Sequence, residues 1–256
     1  MAKEALVSYS DHLKDYISSD YINPKSSTRA FSAFLEKNGC FQSSSDELVI
    51  DMGTGGGSGL AYFAKSFPGT SFLGLDYNVE LVEWINNVFF LENPGHCPKN
   101  MSVDYGDWTK PSDIVRKCSK KIRGVISVHS LCTQKHFSDA ASYLADLAPD
   151  WIAFNSLFYD GPLDVLIHIR DKDSDMKDDN PDADFNIHSL PGATDYMQSK
   201  GYSLQSAEPF EIGLPLPRPE GGKRGTYTIQ TEWSDHSQFS GPVYLPWQFV
   251  LFKKNR

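Results

Sequence analysis

The run Asp51-Met52-Gly53-Thr54-Gly55-Gly56-Gly57 limits the fold of this chain more than any other feature. It lies between a short apolar stretch, Leu48-Val49-Ile50, and a segment of helical spacing that begins near Ser58. Glycine adopts the positive φ of a tight turn and lets a ligand approach backbone where a Cβ would intrude. The helix that follows leaves its first N–H groups without intrahelical partners. Strand, glycine turn and helix in that order open a ligand-binding unit on a parallel sheet.

The rest of the chain keeps the same rhythm. Ser71 to Leu75 reads as a second strand, followed by a helical stripe of Val79, Leu81, Val82, Ile85 and Phe89 that ends before Pro94-Gly95. A weak strand at 101–105 precedes a helix after Pro111, and Gly124 to Leu131 reads as a fourth strand. A helix carrying Phe137, Ala140, Ala141, Leu144 and Leu147 leads to a fifth strand at Trp151–Asn155. This repeated strand–helix order predicts an α/β fold with a doubly wound, mostly parallel sheet.

Before it, apolar residues from Leu6 to Ile17 and a second stripe from Ala30 to Leu35 predict an N-terminal helical cap, broken at Asn23-Pro24 and stopped at Gly39. After it, Asp164–Ile169 reads as a strand, 170–184 as an acidic loop and 190–200 as a helix. Strands at about 203–212, 226–233 and 243–252 suggest an antiparallel C-terminal edge, with Phe239–Trp247 as a closing turn and edge strand. The chain reads as one domain: cap 1–46, ligand-binding half 47–155 and a second half 156–256 with an insertion after the fifth strand.

Three ligand classes compete for the glycine turn. A phosphate-binding P-loop needs a lysine after its glycines, and none follows within reach. A dinucleotide fingerprint counted from Gly53 would place its third glycine at Ser58. A ligand with a cationic amino-acid end suits the carboxylate of Asp51 at the end of the first strand. At this point the sequence resembles the class I, Rossmann-like S-adenosylmethionine-dependent methyltransferases, of the seven-stranded type. Their first motif, (Asp/Glu)-x-Gly-x-Gly-x-Gly, is matched by Asp51, Gly53, Gly55 and Gly57. An acidic residue ending the second strand is matched by Asp76, and a Gly-Asp pair after the third by Gly106-Asp107-Trp108. The resemblance spans roughly residues 47–155.

The resemblance implies S-adenosylmethionine as cofactor and S-adenosylhomocysteine as product. Asp51, Gly53, Thr54, Gly55, Gly57 and Tyr77 would bind the cofactor, with Asp51 suited to its amino-acid end, and Asp76 would accept from both ribose hydroxyls. Asp107 and Trp108 would hold the adenine, and Ser127 would lie at the cofactor. Tyr16 and Tyr21 would close over it from the cap. Each has a plainer account: Asp76 as a helix N-cap, Asp107 as a turn residue, Trp108 as core, the tyrosines as an amphipathic face. The acceptor would sit at the ends of the fourth and fifth strands. There His129 is the candidate base or acceptor-orienting residue, with Asn155, Tyr159, His168 and Arg170 as candidate acceptor contacts. A histidine held for structure alone is the plainer account of His129, and a solvated strand face that of His168 and Arg170.

The acceptor class is narrowed by what the sequence lacks. No (Asn/Asp)-Pro-Pro-(Tyr/Phe) tetrapeptide follows the fourth strand, and no Pro-Cys dipeptide supplies a cytosine-type thiolate. Metal-dependent catechol-type enzymes want an Asp where His129 stands, so no metal is expected. The acceptor reading is an O or N atom of a small polar metabolite or saccharide. A nicotinamide-dependent oxidoreductase and a non-catalytic regulator that kept the fold are the alternatives.

Charge agrees with a small acceptor. Twenty-four basic against 33 acidic residues give −9, the wrong sign for neutralising nucleic-acid phosphates. Seven aspartates and two lysines fall within 171–184. The start of that loop imitates a calcium loop but carries Met176 and Asp182 where Gly and Glu belong. The four cysteines form no Cys-x-x-Cys pair, and no apolar run approaches the ~18 residues of a membrane span. These features read as a reduced, cytoplasmic protein without nucleic-acid or membrane partners, compatible with a homodimer.

Overall fold

The computed structural model describes residues 11–41, 47–118, 120–170, 182–222 and 225–255. Helix α1 (Asp11–Ile22) stops ahead of Pro24, and α2 (Ser26–Lys37) buries Phe31, Phe34 and Leu35. The alternating core follows: β1 (Glu47–Met52), α3 (Ser58–Ser66), β2 (Ser71–Asp76) and α4 (Val79–Trp84). Helix α4 runs on through a wider turn at Ile85–Phe89. Next come β3 (Met101–Tyr105), α5 (Pro111–Lys117), β4 (Lys121–Val128), α6 (Phe137–Asp146) and β5 (Trp151–Tyr159). The remainder comprises β6 (His168–Arg170), β7 (Asp182–Asp184), β8 (His188–Ser189), α7 (Leu190–Ser199), β9 (Tyr202–Pro209), β10 (Thr226–Ile229), β11 (Ser237–Ser240), β12 (Val243–Tyr244) and β13 (Trp247–Lys254).

The main sheet has the order β3-β2-β1-β4-β5-β13-β9, with β8 extending β5. Strands β1 to β5 are parallel, and β13 runs antiparallel to both β5 and β9. The chain moves outward from β1 to β3 and returns beside β1 as β4. Two chain directions therefore diverge between β1 and β4, where open α/β sheets bind their ligands.

Both faces of the sheet are covered. One core joins the cap residues Ile17, Phe31 and Leu35 to Val49, Leu60, Phe63 and Leu251. The other joins Ile50, Leu75, Leu144, Phe154, Met197 and Val250. Burial on both sides explains why Leu48-Val49-Ile50 is a continuous apolar run rather than an alternating one. Gly124 is required by packing: a Cβ there would lie 2.1 Å from the Trp151 ring of the neighbouring strand.

Several sequence expectations need correction. The fourth strand ends at Val128, not Leu131, because His129 has φ of 61° and residues 131–133 form a tight turn. The fifth continues to Tyr159, so Asn155 sits mid-strand; β13 holds the extension through Ser156 and Leu157. β13 is no edge strand, since β9 lies outside it. The expected strand at Asp164–Ile169 is reduced to a bridge between Val165 and Ile187 plus the start of β6. The segments expected at 226–233 and 243–252 are broken up into β10, β12 and β13, and β11 was not foreseen. Residues 1–10, and 171–181 with the calcium-like motif, lie outside the described residues.

Two small sheets have been added to this framework. β6 and β7 form an antiparallel pair after β5, and β10-β11-β12 form a three-stranded sheet between β9 and β13.

Candidate active site

The glycine turn is set by close approach from three sides. Gly53, Gly55 and Gly57 all have positive φ, at 75°, 53° and 75°. The N–H groups of Gly53 and Thr54 both donate to Leu75 O, at 2.8 and 3.1 Å, tying the turn to the end of β2. A Cβ on Gly53 would stand 2.3 Å from Ser130 Oγ, which instead donates to Gly53 O at 2.9 Å. From the cap, Tyr21 donates its hydroxyl to Gly56 O at 2.8 Å, and Ile17 lies against Gly56.

Two buried carboxylates flank this turn. Asp76 Oδ2 accepts from Gly55 N–H at 2.8 Å and Oδ1 from Asn78 N–H at 3.0 Å. The N-cap of α4 is Asn78, whose side chain accepts from Leu81 N–H. Asp76 is thus not the cap, and its two oxygens keep lone pairs beyond those two bonds. Asp51 is 4% exposed, and its Oδ1 has no hydrogen-bond partner among the described residues. Burial pushes its carboxyl up to about 7, with Thr54 opposing and the charge of Asp76 adding to the rise. A buried carboxylate oxygen without a partner needs an explanation, and a cationic group bound at this turn would supply one.

A cavity of about 1020 Å³ opens beside the turn. Its floor carries Gly53, Asp76 and Tyr77, with Trp108 alongside, and His129 and Ser130 stand at the end of β4. The N-terminus of α2 brings Lys25, Ser26 and Ser27. The two added sheets and the segments beside them contribute His168, Asp184, Phe185, Phe210, Thr226 and Gln238, and β13 contributes Trp247. The volume is at the upper end for a small-molecule site and exceeds what one modest ligand needs.

His129 is the most constrained polar residue there. Its backbone N–H donates to Asn155 O at 2.9 Å, and its Nε2 lies 3.2 Å from Asn155 Nδ2. Its ring packs on Trp247 with centroids 4.5 Å apart. Burial, and then the positive charge of Lys25, push the imidazole down to about 3, so it is neutral at physiological pH. His168 Nδ1 meets Asp184 Oδ1 at 2.9 Å across the β6–β7 pair.

The sequence-derived candidates divide accordingly. Gly53, Asp76, Tyr77, Trp108, His129 and His168 share the cavity wall. Gly55, Gly57 and Thr54 shape the turn; the hydroxyl of Thr54 is buried without a hydrogen-bond partner. Asp107 does not line the cavity: its Oδ1 accepts from the N–H and hydroxyl of Thr109, at 2.9 and 2.7 Å. Those bonds hold its carboxyl below the usual range, and the carboxylate serves its own turn. Ser127 is buried within β4 and also off the wall. Tyr21 closes over the glycine turn rather than over the cavity, and the placement of the Tyr16 side chain lies outside the described residues. Asn155 is fully buried and reaches the cavity only through His129. Tyr159 faces a second cleft of about 260 Å³. Arg170 sits opposite Asp182 in register, and its side chain lies outside the described residues.

Sequence reasoning missed Lys25, Ser26 and Ser27, although the break at Asn23-Pro24 announces a helix start there. It also missed Phe210, Gln238 and Trp247, whose approach depends on β13 folding into the sheet interior. Among the described residues, no group of three or more His, Cys, Asp or Glu is placed to hold a metal ion. No described helix is long and apolar enough to cross a membrane.

No protein-family model matches the sequence, and no curated protein matches it. Solved structures do match in fold. 1,6-Didemethyltoxoflavin-N1-methyltransferase from Burkholderia thailandensis, solved with 1,6-didemethyltoxoflavin and S-adenosylhomocysteine, is 15% identical. The match covers 100% of this chain and 90% of that one, with a TM-score of 0.54. A putative sarcosine dimethylglycine methyltransferase from Galdieria sulphuraria is 13% identical, with 89% and 85% covered and a TM-score of 0.51. A putative RNA methyltransferase from Pyrococcus horikoshii is 11% identical, with 90% and 83% covered and a TM-score of 0.51. The three share a fold and differ in acceptor.

Proposed function

Starting from the fold of the class I S-adenosylmethionine-dependent methyltransferases, which this chain has, we propose that it is itself such an enzyme. Its acceptor is an O or N atom of a small polar metabolite or saccharide. The observation that carries the reading is that Gly53, Asp76 and Trp108, from the ends of β1 and β2 and the turn after β3, line one cavity with His129.

The residues present suit the cofactor. The buried, unpartnered Oδ1 of Asp51 suits the cationic amino-acid end at the turn. Asp76 has lone pairs left for ribose hydroxyls, and Trp108 offers an apolar wall for the adenine. When bound, S-adenosylmethionine supplies a methyl group made electrophilic by its sulfonium. The chain's own contribution is alignment and exclusion of water. Phe185, Phe210 and Trp247 supply apolar wall, and Gln238 and His129 supply polar contacts that fix an acceptor's orientation. Burial lowers the pKa of the His129 ring and favours its neutral form, which supports a role in orienting the acceptor. The −9 net charge and the mixed polar and aromatic wall support a small acceptor over a polynucleotide.

Asp76→Ala tests the cofactor assignment. Loss of charge-assisted bonds worth about 1.5–3 kcal/mol weakens S-adenosylhomocysteine binding roughly 10- to 150-fold by calorimetry. The variant should keep its circular-dichroism spectrum. Unchanged affinity removes the ribose role of Asp76.

A further inference from the structure

We infer that Asn155 is a positioning residue that fixes His129 in the Nδ1–H tautomer, so that this histidine meets the acceptor as a hydrogen-bond donor. Asn155 grips His129 at two points from the neighbouring strand. Its carbonyl accepts the His129 backbone N–H at 2.9 Å, and its side-chain amide stands 3.2 Å from Nε2. In register, Asn155 lies opposite Val128, the residue immediately before His129. His129 has a positive φ of 61°, and its ring packs against Trp247 with centroids 4.5 Å apart.

The orientation of the amide decides the tautomer. With Nδ2 toward the ring, Nε2 is the acceptor and the ring proton sits on Nδ1. The cost is one buried carbonyl oxygen, Asn155 Oδ1, and the second amide N–H, both without a partner. Turning the amide over would satisfy that oxygen against Nε2–H but carry both amide N–H groups to the buried position where Oδ1 finds no partner. Buried N–H groups without partners are rarer in folded proteins than under-satisfied carbonyls. The first arrangement is therefore preferred. It also opposes the imidazolium, whose Nε2–H would point at the amide N–H. That repulsion acts in the same direction as burial and the charge of Lys25.

A donor on Nδ1 fits an acceptor that offers an oxygen lone pair, such as a carbonyl, a carboxylate or a hydroxyl oxygen, beside the methylated atom. This step rests on the cavity being the acceptor site. The tautomer itself is a property of the protein alone and can be read without any ligand.

Long-range ¹⁵N–¹H correlation spectra of the ¹⁵N-labelled full chain at neutral pH provide the test. The His129 ring is assigned by its absence from the spectrum of His129→Gln. The expected result is protonation at Nδ1, with Nε2 unprotonated. In Asn155→Asp the carboxylate can only accept, so the proton moves to Nε2 and the ring pKa rises by about 1–3 units. A wild-type ring protonated at Nε2, or populating both tautomers, overturns the inference. So does an unchanged tautomer in a folded Asn155→Asp. If that variant fails to fold, the wild-type spectrum decides alone. Failure of S-adenosylhomocysteine to bind would sink the proposed function and leave the tautomer result standing.

Discussion

Asp51 and Asp76 both lie at the carboxyl ends of parallel strands and both are buried, yet their surroundings differ in one respect that has consequences. Asp76 accepts two backbone N–H groups, whereas Oδ1 of Asp51 accepts none. Burial raises the Asp51 carboxyl from 3.8 to about 7. Between those two values the folded chain retains a proton that the unfolded chain has released. Stability from this group is therefore fully present below about pH 4, is lost as pH rises to about 7, and is level above that. Denaturant titrations of wild type and Asp51→Asn from pH 4 to 8 should show the wild type losing stability relative to the variant across that window. Parallel pH dependences would contradict the buried, unpartnered state. At this scale the motifs led to Gly53 and Asp76, which line the cavity, and to Trp108 beside the third motif. The sequence placed Asp107 at the adenine, and could not show that Thr109 takes up Oδ1 of that carboxylate, because those bonds depend on a local turn and not on strand order.

At the scale of elements, α1 acts as a brace on the glycine turn. Tyr21 is buried against Phe89 and His96 while its hydroxyl holds Gly56 O. Tyr21→Phe keeps the ring packing and removes that bond, costing about 0.5–1.5 kcal/mol of stability. It should also weaken cofactor binding, since Gly56 lies within the turn. Thermal denaturation and calorimetry on the same preparation check both effects. A variant with unchanged melting temperature would show that the brace carries no energy. The strand–helix units from 47 to 93 were legible because their apolar patterns are clear and their boundaries fall near Gly, Pro and Asn, whereas the strand at 101–105 gave only a weak signal. β13 was not legible as an interior strand: Trp247–Lys254 reads the same at an edge or between two partners. Only pairing with β5 and β9, distant in sequence, decides the matter.

Across the whole molecule, a parallel sheet supplies one part of the cavity, the start of α2 another, and later additions the rest. The floor at Gly53, Asp76 and His129 comes from the ends of β1, β2 and β4. The far wall comes from around the β6–β7 pair, the β10–β12 sheet and the start of β13. The sequence located this division, because the cofactor-like motifs stop near residue 155 and the irregular third follows. It could not show which side chains of that third meet His129, since the meeting depends on the placement of two small sheets. The same fold accompanies different acceptors in the structures it resembles, so the shared half is where the account is most exposed to test. Calorimetric titration of the full chain with S-adenosylhomocysteine, and separately with NADH, tests it most directly. The account predicts saturable binding of S-adenosylhomocysteine at one site per chain and no saturable heat with NADH. Saturable NADH binding with none of S-adenosylhomocysteine would contradict it.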